Sequence, residues 1–294
     1  MNNKTALVLA CAGICMMMRT AVMGEGMLSA PSEDNESIFS ANVSAEQEIG
    51  WDESWQFADY SKIHTGTAVL HTPSQGNGIV VCVNAGHGTS GGDSVKTLCH
   101  PDGSPKVTGG STAEGATYAT AVSGGATMAD GTSEAAVNLQ LALLLKEKLL
   151  DAGFSVLMIR EDTDVQLDNI ARTVIANENA ACHLALHYDS TASDKGFFYI
   201  GVPGEASYRS MEPVASHWTE HEDLGQHILA GVRDSGYRIF GSGTMEIDLT
   251  QTSYSTIPSV DLECGDTASD CSVPTQTLLA EGITAGLRSY FGVE

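Results

Sequence analysis

Basic residues are scarce. The 294-residue chain holds 14 Lys and Arg against 37 Asp and Glu, a formal charge of -23. Binding nucleic acid through its phosphates needs basic patches, so that class of partner is excluded. The excess of acid favours solubility and suits a partner that is neutral or carries amines. No CxxC pair occurs, which argues against a zinc ribbon. No GxxxxGK[ST] occurs, and the glycines of "NAGHGTSGGD" do not form GxGxxG, so a phosphate cradle has no motif behind it. Internal repeats and long low-complexity tracts are also missing. The apolar run Thr5–Met18 is shorter than the roughly 20 residues a spanning helix needs, so no stable transmembrane domain is expected.

That run, preceded by Lys4, reads as a secretory signal within residues 1–24, and Arg19 just after it leaves a retained N-terminal anchor as the alternative. Too little apolar sequence precedes Cys11 for a lipid-attachment site. Residues 25–50 are polar and acidic, without apolar periodicity, and read as a disordered stalk. Residues 51–77 bring in aromatics and the short run Thr67–Leu70, and read as an extension packing on the domain as an edge element. The remaining cysteines are Cys82, Cys99, Cys182, Cys264 and Cys271, an odd number that leaves one thiol free or paired between chains. Cys82 and Cys182 sit in apolar runs as core residues. Cys264 and Cys271 flank a short loop and could form a bridge.

With 42% hydrophobic residues, the chain can bury a substantial core. From residue 78 to the end, strand and helix patterns alternate. Strands are expected at Ile79–Asn84, Phe154–Arg160, Cys182–Tyr188, Phe197–Val202, Tyr237–Phe240 and Ser259–Glu263. Helices are expected at Ser133–Ala152, Val165–Asn179, Leu224–Ser235 and Thr277–Phe291. Near-continuous apolar strands alternating with helices predict a single α/β domain, its mainly parallel sheet covered by helices on both faces.

In open α/β sheets, ligands bind at the carboxyl ends of the strands. His87 lies just past the first strand, between Gly86 and Gly88, which allow a tight turn. His187 ends "HLALH", Glu263 ends "SVDLE", and Glu134 opens the helix after the long glycine-rich loop. Two histidines and a carboxylate are a sufficient protein set for catalytic zinc, with one position left for water. His87, Glu134 and His187 are therefore candidate zinc ligands. Glu263 is the candidate general base, taking the water proton and delivering it to a leaving amine. Taken singly, each residue has a bland reading: a loop histidine, a favourable acid at a helix N-terminus, a structural carboxylate. His183 and His187 form an HxxxH pair. On a strand they stand about 13 Å apart at about 3.3 Å per residue, so only His187 can reach the ion. His217 and His221 would share a helix face, and with His227 they read as a solvated or substrate-facing element.

The order of these blocks resembles the zinc-dependent N-acetylmuramoyl-L-alanine amidases, bacterial cell-wall hydrolases. The similar stretches are "VVCVNAGHG", "SEAAVNLQLALLLKEKLLDAGFSVLMIRE", "LDNIARTVIANENAACHLALHYD" and "IPSVDLECGD". The resemblance covers Ile79 to about Phe291. It implies one zinc and hydrolysis of the amide between the muramic acid lactyl group and L-Ala of the peptidoglycan stem peptide. It also implies a role in wall remodelling or autolysis by a protein secreted to the wall or envelope. By the match, His87, Glu134 and His187 take the ligand places and Glu263 the catalytic place, while Arg172 and Asn177 match the family's helix as structural residues. The chain departs from the family at Asp189, where Asn is common, and at Gly265-Asp266, where Gly-Phe is usual. The segments 88–133 and 196–258 are long. Two other readings of the same residues are a zinc peptidase cutting within the stem peptide and a non-catalytic wall-binding protein.

Overall fold

The apolar run after Gly78 becomes a central strand of an eight-stranded sheet. A computed structural model describes residues 43–293; the expected leader, and the expected stalk as far as residue 42, lie outside the described residues. The sheet strands are β1 (Val43–Ile49), β2 (Ala68–Pro73), β3 (Val80–Ala85), β6 (Ser155–Met158), β7 (Cys182–Asp189), β8 (Phe197–Gly201), β9 (Ile239–Glu246) and β10 (Ser259–Asp266). A separate hairpin, β4 (Lys96–Leu98) with β5 (Tyr118–Thr120), forms in the long segment between His87 and Glu134. The helices are α1 (Glu134–Asp151), α2 (Asn169–Asn179), α3 (Ala206–Arg209), α4 (Val214–Asp234), α5 (Thr250–Tyr254) and α6 (Val273–Phe291).

The sheet order is β1-β2-β6-β3-β7-β10-β8-β9. Its centre, β6-β3-β7-β10, is parallel throughout. The flanks are mixed: β1 and β2 add antiparallel on one side, and β8 runs antiparallel to β10 on the other. Helices cover both faces, as the alternation of the sequence requires. Leu141, Leu145 and Leu149 of α1, Leu224 and Ile228 of α4, and Leu279 and Ile283 of α6 pack with Val81, Val83, Leu184 and Leu186 in one cluster. Cys82, Leu157 and Ile159 point the other way and meet Ala171 and Ile175 of α2. Successive strand residues feed opposite cores, which is why these strands read as unbroken apolar runs.

Several boundaries differ from the sequence reading. Val43–Ile49, placed in the stalk by its polar composition, is a strand. It pairs with β2 at the sheet edge and is exposed over most of its length, so it needs few apolar residues. The helix expected from Val165 starts at Asn169, because the Asp168 carboxylate caps it by accepting from Ala171 N at 2.8 Å. α4 begins ten residues before Leu224, in a stretch whose buried face carries the polar His221 and so hides the helical period. The strand expected at Tyr237–Phe240 runs instead from Ile239 to Glu246. No Cys264–Cys271 bridge forms. All five cysteines among the described residues are free thiols, and Cys264 is buried in the core.

α4 and α6 cross at glycines. A Cβ on Gly231 would stand 2.4 Å from Gly282 O, and one on Gly286 would stand 2.5 Å from Ile228 Cα, so the two backbones are nearly in contact. Gly286→Ala is expected to destabilise the fold by about 1–3 kcal/mol through overpacking, despite a gain of about 1 kcal/mol in helix propensity. Urea unfolding measures it. A midpoint equal to or above that of the parent would show that the helices separate without loss.

Candidate active site

The turn after β3 is held by two buried arginines. Arg172, on α2, donates to Asn84 Oδ1 (3.0 Å), Ala85 O (3.1 Å), His87 O (2.7 Å), Thr89 Oγ1 (2.8 Å) and Leu167 O (3.0 Å). Arg160, just past β6, donates to Ala85 O (2.9 Å), Gly86 O (2.9 Å), Ala135 O (2.7 Å) and Asp162 O (3.0 Å). Burial pulls the Arg172 guanidinium down to about 9, with the neighbouring Arg160 charge adding to the effect. This clamp holds His87 at φ 63°, left-handed backbone that a non-glycine residue adopts only under constraint. Gly88 follows at φ 73°. Gly86 is glycine for a different reason: a Cβ there would lie 2.2 Å from His187 Cε1.

Three of the four candidate residues converge on one point. His87 Nε2 lies 2.8 Å from Glu134 Oε1, and His187 Nδ1 lies 3.1 Å from each of those atoms. His87, Glu134 and His187 are the cluster among the described residues able to hold a metal ion. Ser133 caps α1 by accepting from Ala136 N at 3.3 Å and so presents Glu134 in the first turn. The second carboxylate oxygen, Oε2, accepts from Ala126 N at 2.7 Å. Glu263 stands beside His187 in the parallel β10–β7 register. Its Oε2 is buried without a hydrogen-bond partner.

The donor set fits a divalent cation. Ligands about 2.0–2.1 Å from zinc in tetrahedral array lie about 3.3 Å from one another, close to the separations of these three atoms. His87 Nδ1 faces Ser123 O at 2.8 Å. A carbonyl only accepts, so Nδ1 carries the proton and the Nε2 lone pair faces the cluster. Charge points the same way. Burial opposes the imidazolium of His187, yet the charge of Asp261, the bond to Glu134 and the charge of Glu263 outweigh it and lift the group to about 9. Burial likewise opposes the Glu134 carboxylate, yet the hydrogen bond from His187 and the charge of that ring hold its carboxyl far below the usual range. Burial, and then the charge of Asp261, push the Glu263 carboxyl well above it.

Other histidines stand apart from this cluster. His183 is on β7 with His187, four residues toward the amino end, fully buried and without a partner on either ring nitrogen. Burial keeps it neutral, pulled down to about 3. His221, read from the sequence as part of a solvated or substrate-facing element, is instead buried and accepts from Ser259 N (3.0 Å), whereas His217 faces Glu220 (3.0 Å) and His227 faces Ser289 (3.0 Å). Asn177 ties α2 to the α5 end through Tyr254 O at 2.9 Å. Asp189 forms an ion pair with Lys195. Asp266 accepts from Ser193 N (2.8 Å) and Asp194 N (3.0 Å), pinning the loop that carries Lys195.

Sequence reasoning missed Arg160, Ser123, Asn138 and Asp261. Asn138 is fully buried and its Nδ2 lies 3.4 Å from Glu134 Oε1. The signals available were a polar residue four positions after Glu134, an arginine closing an apolar strand, and a lone Asp inside the run Ser259–Leu262.

None of the curated proteins matches the chain. Among solved structures it is similar to the N-acetylmuramyl-L-alanine amidase Ami1 from Mycobacterium smegmatis, with TM-score 0.60 and 16% identity over 74% of this chain and 99% of that one. It is also similar to the N-acetylmuramoyl-L-alanine amidase from Clostridium difficile 630, with TM-score 0.52 and 19% identity over 74% and 98%. At these identities the likeness is one of fold. The family model described as N-acetylmuramoyl-L-alanine amidase matches residues 81–284, a span that contains His87, Glu134, His187 and Glu263. Because that match runs over more than half of the 294 residues, the chain belongs to the N-acetylmuramoyl-L-alanine amidase family.

Proposed function

We propose that this protein is a zinc-dependent amidase of peptidoglycan, cutting between the muramic acid lactyl group and L-Ala of the stem peptide. The observation that carries the reading is the convergence of His87 Nε2, Glu134 Oε1 and His187 Nδ1, each within 3.1 Å of the other two, beside a half-buried Glu263. Family membership supports the choice of bond. His87, Glu134 and His187 would hold the ion. When bound, zinc supplies a Lewis acid that acidifies water and polarises the scissile carbonyl.

The remaining chemistry falls to the chain's own residues. Glu263 takes a proton from the attacking water and passes it to the leaving amide nitrogen. Burial and the neighbouring Asp261 raise its carboxyl, which makes the ionised form a stronger proton acceptor than an ordinary carboxylate. Ser123 O keeps the proton of His87 on Nδ1. Gly125 brings the backbone against the other side of the cluster: a Cβ there would stand 2.7 Å from His87 Cδ2 and 3.0 Å from Glu134 Oε2. Export to the wall belongs to the same reading, with residues 1–24 as the signal or anchor, residues 25 to 42 as a spacer, and the aromatic segment from Trp51 as an extension of the domain. Among the described residues no helix is long and apolar enough to cross a membrane.

Three outcomes test the reading. Mass spectrometry of peptidoglycan digested with the purified protein is expected to show intact stem peptides freed from glycan, with release lost on chelation and restored by zinc. Cuts within the stem would identify a peptidase, and no cuts under any metal condition a binder. Glu263→Gln is expected to keep its zinc by elemental analysis and to lose hydrolysis by about 10²-fold or more; a wild-type rate would make Glu263 structural. His187→Ala is expected to lose both zinc and turnover, whereas His183→Ala retains bound zinc. Zinc loss from a folded His183 variant, checked by circular dichroism, would overturn the ligand assignment.

A further inference from the structure

Asp261 is a carboxylate inside the sheet. It lies two residues before Glu263 on β10, so the two share a sheet face, and only 9% of its surface is exposed. Its Oδ1 has no hydrogen-bond partner. Its Oδ2 lies 3.8 Å from His187 Nε2. The residues opposite it on the flanking strands are Ala185 and Ile200, whose side chains have no donors. A buried carboxylate without hydrogen bonds is expensive, and the donor within reach of this one is the histidine ring.

That ring has two ends with separate tasks. Nδ1 faces His87 Nε2 and Glu134 Oε1, each at 3.1 Å. Nε2 faces Asp261. The pattern repeats what the other histidine does with the nitrogens exchanged: His87 gives Nε2 to the cluster and has Nδ1 held by Ser123 O at 2.8 Å. A metal-ligating histidine commonly donates its far N–H to a carboxylate or carbonyl, which fixes tautomer and ring orientation.

We propose that Asp261 is a positioning residue for His187: it accepts the Nε2 proton and thereby keeps the Nδ1 lone pair turned toward His87 and Glu134. A separation of 3.8 Å is an ion-pair contact, and a shift of about 1 Å at the carboxylate brings it to the usual hydrogen-bond length of about 2.9 Å. The carboxylate has no other hydrogen bond to give up in making that shift. Asp261 does not touch the reacting atoms. It acts on metal affinity through His187, and the inference rests on the zinc reading given above.

The test compares the parent with Asp261→Asn, which is nearly isosteric, and Asp261→Leu, which suits the apolar strand around it. Zinc affinity is read by competition with a chromophoric chelator, and the His187 ring by its ¹⁵N and N–H resonances in metal-free and zinc-loaded protein. The expected result is zinc binding weakened by about 10–100-fold in Asp261→Leu and less in Asp261→Asn, whose amide oxygen can still accept. The Nε2–H resonance is expected to move upfield in both variants. If the parent binds zinc and both variants bind it within twofold of the parent, the positioning role is wrong while the zinc reading stands. If the parent binds no zinc, the zinc reading falls, and the Nε2–H resonance of the metal-free protein decides this one: an unchanged signal on removal of the carboxylate overturns it.

Discussion

The site depends on a buried cation that serves backbone carbonyls. Arg172 is almost fully buried and spends its donors on the turn after β3 and on Leu167. An isolated guanidinium in that position would be severely penalised for leaving water. It is tolerated because carbonyl and amide oxygens surround it in the directions its planar fork requires. Arg160 approaches the same turn from β6 and reaches Ala85 O and Gly86 O. Two like charges beside one short segment repel, yet each contacts carbonyls the other leaves partly free. The result is a rigid strand end that keeps His87 in a left-handed backbone conformation.

Placement of the other site residues follows from sheet register. His187 and Glu263 are cross-strand neighbours, so their spacing is set by strand separation and does not depend on loop conformation. Glu134 comes in from the helix that covers one face, fixed by its cap and by Ala126 N. Strand end, strand register and helix start are all rigid devices, which suits a cluster whose donor atoms must agree to fractions of an ångström. The long loop between His87 and Glu134 enters the site through Ser123, Gly125 and Ala126. Its outer part is anchored elsewhere, with His100 facing Asp248 at 3.1 Å and Lys106 donating to the same carboxylate at 2.7 Å.

The central strands and α1 were legible because each carries its own signal: an aliphatic run, a cap, a helical period. The four candidate residues were legible because they stand where those elements end. β1 was hidden, since an edge strand exposed on most of its length has a composition close to that of a linker. The first turns of α4 were hidden because a polar residue, His221, occupies their buried face, where the helical period would show an apolar one. The two-arginine clamp could be read only by half: Arg172 lay in a recognisable helix, but nothing local tells where the Arg160 side chain goes after the strand ends. Asp261 could be noticed as an acid in an apolar run. Its nearness to His187 needs the register of two strands far apart in the chain.

The thiols carry a consequence for how this chain can be made. Every described cysteine is unpaired, and Cys82, Cys99, Cys182 and Cys264 are buried. Burial in apolar surroundings raises the Cys82, Cys182 and Cys264 thiols, so little reactive thiolate forms once the chain has closed around them. The described fold therefore draws none of its stability from cross-links. The exposed period is folding itself, when those cysteines are accessible together and wrong pairings can form.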